Sequence, residues 1–426
     1  MMSNKILLKQ VCIIDPNSSH NGKNMDILLE DGFIKKINKS ITAEKNTKVI
    51  DKKGLHVSPG LFDFSVDFGE PGDEHRETLE TGCEAAICGG FTGFGLNPTT
   101  SPPRDNKSAI SFCKNFTNNL PIEAFPYGCV SKDMNGEQLA EMYDMTKAGA
   151  VAFTDFNKPI KQSGLLSRAL LYTKNFDGLV ISFPHDPTIA PKGQMNEGIN
   201  STQMGVDGIP VLSEKTFLNR DLYINEYNES RVHFNIISAA SSVEDVSKAK
   251  KANQDVSCGT SIYHLLFDDS MLLDFNSNFK FLPPLRTSYD RNALLEGLKN
   301  GTIDLITSNH QPNDIESTQV EFTQAAFGAI GTQIAFPLAL THLKEFIGIE
   351  GIISKMSINP RSILHLDIPM IEENHKVDIT MYNPLEKWTF SKKDNKSISE
   401  NTPLFDTELE GKVFGTILDN QMHLNS

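Results

Sequence analysis

Between residues 57 and 370, short apolar runs with abrupt polar ends alternate with stretches of helical character, and this alternation restricts the chain to few folds. The runs are GFTGFGLNP, AVAFTDF, GLVISFP, RVHFNIIS, DVSCGT and IDLITSN. Between them lie ETLETGCEAAICGG, GEQLAEMYDMTKAGA, SVEDVSKAKKANQ and DRNALLEGLKNG. The first and last of these helix-like stretches end in Gly, the usual residue past a helix C-terminus. Strands alternating with helices imply a parallel sheet, and there are enough units to close one. The expected class is α/β, a TIM-type (β/α)8 barrel over residues 57–370. Chemistry in such a barrel sits where strands end and loops begin.

Both ends of the chain read differently. ILLKQVCII, MDILLEDGFIKKI and KVID at the start, and VDITMYN, KWTFS and VFGTILDN at the finish, are apolar-rich runs broken by polar turns. Asp31-Gly32 is a hairpin turn signal. Two β-rich ends around one long middle predict a small β-sandwich domain built from residues 1–56 and 371–426. At 426 residues the chain suits a barrel of about 250 residues plus such a domain. The Lys/Asn/Ser-rich run Ser391–Asn401 reads as a solvated loop.

A formal charge of −14 disfavours nucleic acid and anionic membrane as partners. No stretch approaches the ~18 apolar residues of a membrane span, and MMSNKILLKQVCIID lacks the apolar core of a leader. Six cysteines (Cys12, Cys83, Cys88, Cys113, Cys129, Cys258) without CxxC spacing read as reduced thiols in a cytoplasm.

The segment from Pro59 to Pro103 carries Glu70-Pro71-Gly72, His75-Arg76-Glu77-Thr78 and Gly89-Gly90-Phe91-Thr92. Further on come MNEGIN at 195–200, GIP at 208–210, PPLR at 283–286, AFG at 326–328 and NP at 359–360. In this order and spacing the chain resembles the bacterial-type dihydroorotases of the amidohydrolase superfamily over nearly its whole length. The resemblance implies a zinc-dependent cyclic amide hydrolase that interconverts carbamoyl aspartate and dihydroorotate in pyrimidine biosynthesis.

Position by position, the residues that the resemblance would make functional differ. The first-strand His-x-His falls at Ser65 and Asp67. Residues i and i+2 of a strand share a face, so two imidazoles there could grip one metal; a hydroxyl and a carboxylate do not replace them. The family's substrate-binding Arg falls at Gly69, and the Asn of its Pro-Asn-Thr loop at Thr99. Its bridging Asp falls at Phe156, with Asp155 beside it as an alternative register. The His of Asp-His-Cys-Glu falls at Phe183, two residues before His185. The His of Gln-His-Leu-Ser falls at Ile236, and the Asn before Pro-Pro-Leu-Arg at Leu282. The Asp that binds metal and acts as general base falls at Asn309, and the final His of that motif at Asn313. An amide cannot take a proton from a metal-bound water. The apolar replacements predict a pocket repacked with hydrophobic side chains.

Other residues read more plainly. His310 is expected as a barrel histidine bonded to backbone, His264 as structural and His233 as packing. Glu74 suits a helix N-terminus, Cys129 is a small apolar residue, and the PKG at 191–193 is a turn. Three functions compete. The first is a non-catalytic homologue with no cofactor, a homodimer that partners aspartate transcarbamoylase. The second is a working hydrolase that binds zinc through Asp67, Asp155, His185 and His310; Asp67 with Asp155 could instead hold Mg²⁺ or Ca²⁺. The third is an oligomeric structural protein resembling the inactive relatives of dihydropyrimidinase.

Overall fold

The computed structural model describes residues 5–118 and 120–425; residues 1–4 of the N-terminal run, Asn119 and Ser426 lie outside the described residues. Five strands come first: β1 (Lys5–Ile13), β2 (Asn24–Glu30), β3 (Phe33–Asn38), β4 (Lys48–Ile50) and β5 (His56–Pro59). Asp31 and Gly32 join β2 to β3 with φ of 50° and 81°, the left-handed pair of a tight hairpin.

The barrel strands follow: β6 (Leu61–Val66), β7 (Phe91–Leu96), β8 (Glu123–Gly128), β9 (Ala152–Phe153) and β10 (Val180–Ser182). A two-stranded ribbon, β11 (Met195–Asn196) with β12 (Gly208–Ile209), interrupts them. Then come β13 (Val232–Phe234), β14 (Val256–Ser261) and β15 (Leu305–Thr307). Their order is β15-β14-β13-β10-β9-β8-β7-β6, all pairs parallel. The ring closes between its outer members, where Val66 bridges His310 and Asp67 N donates to His310 O at 2.9 Å. The expected barrel is therefore present.

Helices cover it. In Leu79–Cys88 the Thr78 side chain caps the N-terminus, and the left-handed residue past the end is Gly90, φ 92°. Gly301, φ 84°, plays that part after Ser288–Lys299. GEQLAEMYDMTKAGA departs from expectation: only Met142–Lys147 is helical, because Gly136 (φ 72°) turns the chain and Leu139 bridges back to Ser131. No described helix is long and apolar enough to cross a membrane.

The chain finishes with β16 (Asp378–Phe390), β17 (Thr407–Leu418) and β18 (Gln421–Leu424), which join the first strands in the order β18-β17-β16-β5-β1-β2-β3, with β4 also on β1. Hydrogen bonding makes this one sheet, and it rolls over its own core of Ile6, Leu8, Val11, Ile27, Ile34, Val57, Ile379 and Ile417. The roll is stitched where Phe33 bridges Lys376 and Ile34 N donates to His375 O at 2.8 Å. β5 straddles residues 56 and 57, so the small sheet runs into the first barrel strand with Gly60 alone between them.

Candidate functional site

The strand ends of β6 build the centre of the site. A register shift between Asp63 and Val66 turns successive residues inward. Phe64 packs its ring 4.4 Å from that of His233, while the next residue, Ser65, takes a hydrogen bond from Asn235 Nδ2 at 3.1 Å. Asn97, at the end of β7, donates from Nδ2 to Ser65 Oγ at 3.0 Å. Ser65, Asn97 and Asn235 are all buried. A polar triad thus occupies the position at which the resemblance would place the first metal-binding imidazole.

Asp67, two residues on, is buried and accepts a hydrogen bond from Thr99 Oγ1, with Arg76 Nη1 at 4.0 Å. Burial pushes its carboxyl above the ordinary carboxylate range, against the pull of Arg76 and Thr99. Asp155 is held elsewhere. Val130 N (2.9 Å), Ser131 N (3.1 Å) and Ser131 Oγ (2.5 Å) all donate to its carboxylate, so it pins the turn after β8.

Gly69 marks a closed loop. Asp73 N donates to Gly69 O at 2.8 Å, and a Cβ on Gly69 would collide with the Asp73 carbonyl. No side chain fits there, an arginine least of all.

Phe156 sits in the left-handed region (φ 49°) and packs with Cys129 and Met134. Burial pushes the Cys129 thiol up, which fits an inert packing cysteine. Phe183 is buried beside His185, ring centroids 5.7 Å apart. β10 ends at Ser182, ahead of both residues. Burial holds His185 below its ordinary pKa, helped by Arg286, and its Nδ1 is buried without a hydrogen-bond partner among the described residues. Ile236 is buried, whereas Leu282 is half-exposed. The expected hydrophobic repacking is therefore confined to part of the site, and buried amides and hydroxyls fill its centre.

On the far side of the closure, Asn309 (φ 51°) accepts from Gln311 Nε2 at 2.9 Å through Oδ1. His310 Nδ1 accepts from Gly331 N (3.1 Å) and Thr332 N (3.4 Å), which places its proton on Nε2, 3.5 Å from Glu77 Oε2. Asn313 donates to Phe327 O at 3.0 Å. His264 is bonded on both ring nitrogens: Oγ of Ser261, the helix's N-cap, lies 2.7 Å from its Nδ1, and Nε2 reaches Pro283 O at 2.9 Å.

The run Ser391–Asn401 is no solvated loop. Ser397, Ser399 and Asn401 are buried. Ser397 Oγ donates to Glu77, and Ser399 Oγ donates to Arg76 O at 2.8 Å. Asn401 Nδ2 donates to Gln311 O and Gly328 O, each at 3.0 Å, and Asn401 Oδ1 accepts from Asn313 N at 3.1 Å. The link between β16 and β17 is a strap across the loops that follow β6 and β15. Its polar composition supplies donors to barrel carbonyls and to a buried carboxylate, where composition alone predicts contact with water.

Zinc does not fit these residues. It takes thiolate, imidazole or carboxylate ligands, usually four in a structural site and three in a catalytic one. Here the strand ends offer hydroxyls, amides, a phenyl ring and an aliphatic chain, with Asp67 and Asp155 engaged by different partners. Among the described residues no group of three or more His, Cys, Asp or Glu is placed to hold a metal ion, so Asp67, Asp155, His185 and His310 do not form one ligand set.

Several residues of the site escaped sequence reasoning. Asn97 and Asn235 each stand one residue past a strand, a placement that alternation could have flagged. Asp63 accepts from Thr307 Oγ1 (2.8 Å), Ser308 N (3.0 Å) and Thr332 Oγ1 (2.9 Å), locking β6 to β15. Arg104, the one cation between Asn97 and Asn106, is fully buried. Glu77 bears no local sign of burial.

Residues 54–242 match a family model described as Dihydro-orotase-like. A protein named Dihydroorotase from Acetivibrio thermocellus is 38% identical over 420 residues, 98% of each chain. Another of that name from Syntrophus aciditrophicus is 36% identical, covering 98% of this chain and 99% of its own. Among solved structures, the L-hydantoinase (dihydropyrimidinase) from Arthrobacter aurescens superposes with a TM-score of 0.85 at 20% identity, over 99% of this chain and 97% of its own. That likeness concerns the fold.

Proposed function

The chain belongs to the dihydroorotase family of amidohydrolases, and from that premise we propose that it is a non-hydrolytic member, working through its surface on the pyrimidine-biosynthetic machinery. The observation that carries this reading is the hydrogen-bonded triad Ser65–Asn97–Asn235 at the strand end where a metal-binding imidazole is expected. Asn309 supports it, since an amide is no base for a metal-bound water. The closed loop at Gly69 supports it too, by leaving no room for a substrate-clamping side chain.

In this reading the chain pairs with itself in the cytoplasm and assembles with aspartate transcarbamoylase. Leu212, Tyr223 and Tyr227 support a protein partner. They fall on one face of the helix Val211–Asn228, and the two tyrosines are 73% and 86% exposed.

A second reading is favoured by one finding, the 38% identity over the full length to a protein named Dihydroorotase. It makes the chain a working cyclic amide hydrolase with unconventional ligands. Elemental mass spectrometry on protein purified without chelators separates the two. The non-hydrolytic reading expects zinc, manganese and iron near zero per chain, unchanged after incubation with zinc and removal of the excess. It also expects no turnover of dihydroorotate and co-purification with aspartate transcarbamoylase. One or two ions per chain together with turnover would establish the second reading instead.

A further inference from the structure

Where the strap leaves β16, it borders a cavity between the small sheet and the first barrel helix. The cavity measures about 310 Å³. Cys88, from the end of the helix Leu79–Cys88, lines it together with Trp388 of β16, Lys412 of β17, His423 of β18 and Asn425 just beyond. Lys393 and Lys396 of the strap belong to the same wall. The barrel mouth is a separate place: Ser65, Asp67, Asn97, Asn235 and Asn309 do not line this cavity.

Two polar atoms of the lining residues are left open. Asn425 Nδ2 donates to Cys88 O at 2.9 Å and to Val413 O at 3.1 Å, which fixes the orientation of the amide. Its Oδ1 is then buried with no partner among the described residues. Trp388 Nε1, a donor, is buried without a partner as well. Buried polar atoms of native proteins are nearly always bonded, because an open one costs its full desolvation. One donor and one acceptor on a single cavity therefore stand ready for a molecule that offers both.

The charge of the wall points to an anion. Three lysines, Lys393, Lys396 and Lys412, face two carboxylates, Glu84 and Asp394, in a chain whose formal charge is −14. Lys396 is paired with Glu84 at 3.2 Å. Asp394 is engaged within the strap, where Ser391 N and Ser391 Oγ donate to it at 2.9 and 2.6 Å. Lys393 and Lys412 make no ion pair among the described residues, and Lys412 is half-buried.

We propose that this cavity is a receptor for a nucleoside monophosphate, its base beside Trp388 and Asn425 and its phosphate toward Lys393 and Lys412. A nucleobase is planar, stacks on an indole, and carries acceptors and N–H donors on one edge. A phosphate suits two lysines that lack a counter-charge. The volume lies at the lower end of the range of about 300–1,000 Å³ for ligand pockets, which suits one mononucleotide and not a dinucleotide. The strap joins this cavity to the barrel, since residues 393–396 line the one and residues 397–401 cover the other. The proposal goes beyond the non-hydrolytic reading and does not rest on it.

Trp388 is the chain's one tryptophan, so its emission reports on this cavity alone. The whole protein, excited at the red edge of indole absorption, is titrated with uridine and adenosine 5′-monophosphates. Uridine, adenosine and sodium phosphate at matched ionic strength are the comparisons. At least one mononucleotide is expected to change the emission saturably, with its nucleoside and free phosphate at least about tenfold weaker. Lys412→Ala is expected to weaken that mononucleotide about tenfold. Hydrogen exchange of the parent protein should slow at residues 393–396 and 423–425 when the nucleotide is present, which reads the same contact whatever the variant's folding. The proposal falls if neither mononucleotide alters emission or exchange. It falls equally if free phosphate or the bare nucleoside binds as tightly as the nucleotide, or if a Lys412→Ala protein with the parent's Tm binds undiminished.

Discussion

Glu214 holds one end of the barrel through a single carboxylate. Oε1 accepts from Ser238 N (2.9 Å) and Ala239 N (3.2 Å), Oε2 accepts from Ser238 Oγ, and the Arg286 guanidinium stands 3.8 Å away, all of it buried. Removing one partner of a buried ion pair strands the other charge in a medium that cannot solvate it. Glu214→Ala is accordingly expected to lower unfolding free energy by about 3–5 kcal/mol, read as a shift in urea midpoint at constant m-value. Glu214→Gln keeps an acceptor for the two backbone amides and should cost less. Equal, small effects for both would mean that Arg286 finds its counter-charge elsewhere. Phe156 and Asn309 make a related point about backbone. Both sit at positive φ, a conformation that Asn adopts readily and Phe rarely. The turn at Phe156 therefore keeps a shape better suited to a polar residue than to the one it carries.

The strap between β16 and β17 is an element whose stability comes from the barrel beneath it. Asn401 satisfies Gln311 O, Gly328 O and Asn313 N with one side chain. Asn401→Ala leaves Gly328 O and Asn313 N buried without these partners, at a cost of about 2 kcal/mol. Hydrogen exchange would show the Asn313 amide losing protection before the rest of the barrel. Unchanged stability and an Asn313 amide that already exchanges fast in the parent would return the run to the status of a solvated loop. The strap also bears on the site's chemistry. It covers the Glu77–His310 pair, so the histidine that kept its place in the sequence sits behind a lid of serines and not in an open mouth.

Across the whole molecule, buried histidines set the acid limb of stability. Burial holds His233 down at about 3 and His264 at about 4, and both stay neutral when folded under mildly acid conditions. Once unfolded, each regains an ordinary pKa near 6.5 and takes up a proton. The unfolded state then binds more protons than the folded one, so stability is lost as pH falls from about 6.5 toward 4, at about 1.4 kcal/mol per pH unit for each histidine. Asp63, Asp67 and Asp155 oppose this. Burial raises their carboxyls, so the folded state takes up protons first and recovers part of the loss as pH drops through their titration. Denaturant unfolding between pH 7 and 4 is expected to show a net decline, made shallower by His233→Phe by up to one histidine's slope. An unaltered slope in that variant would mean that His233 protonates in place.

Periodicity, turn residues and the order of short motifs act over a few residues, and they sufficed for the barrel and for the pairing of the two chain ends in one small sheet. Local chemistry dictates these features, because a strand's alternation and a motif's spacing are properties of neighbours. The rest depended on contacts between residues far apart in the chain. Glu77 meets Ser397, Asn401 meets Gln311, and Ser65 meets both Asn97 and Asn235. Whether a polar side chain ends in water or in a buried network is decided by which distant acceptor the fold brings to it. That is why a serine-rich run read as a loop became a strap, and why an unremarked arginine came to lie fully buried with Leu96 O as its side chain's one acceptor among the described residues.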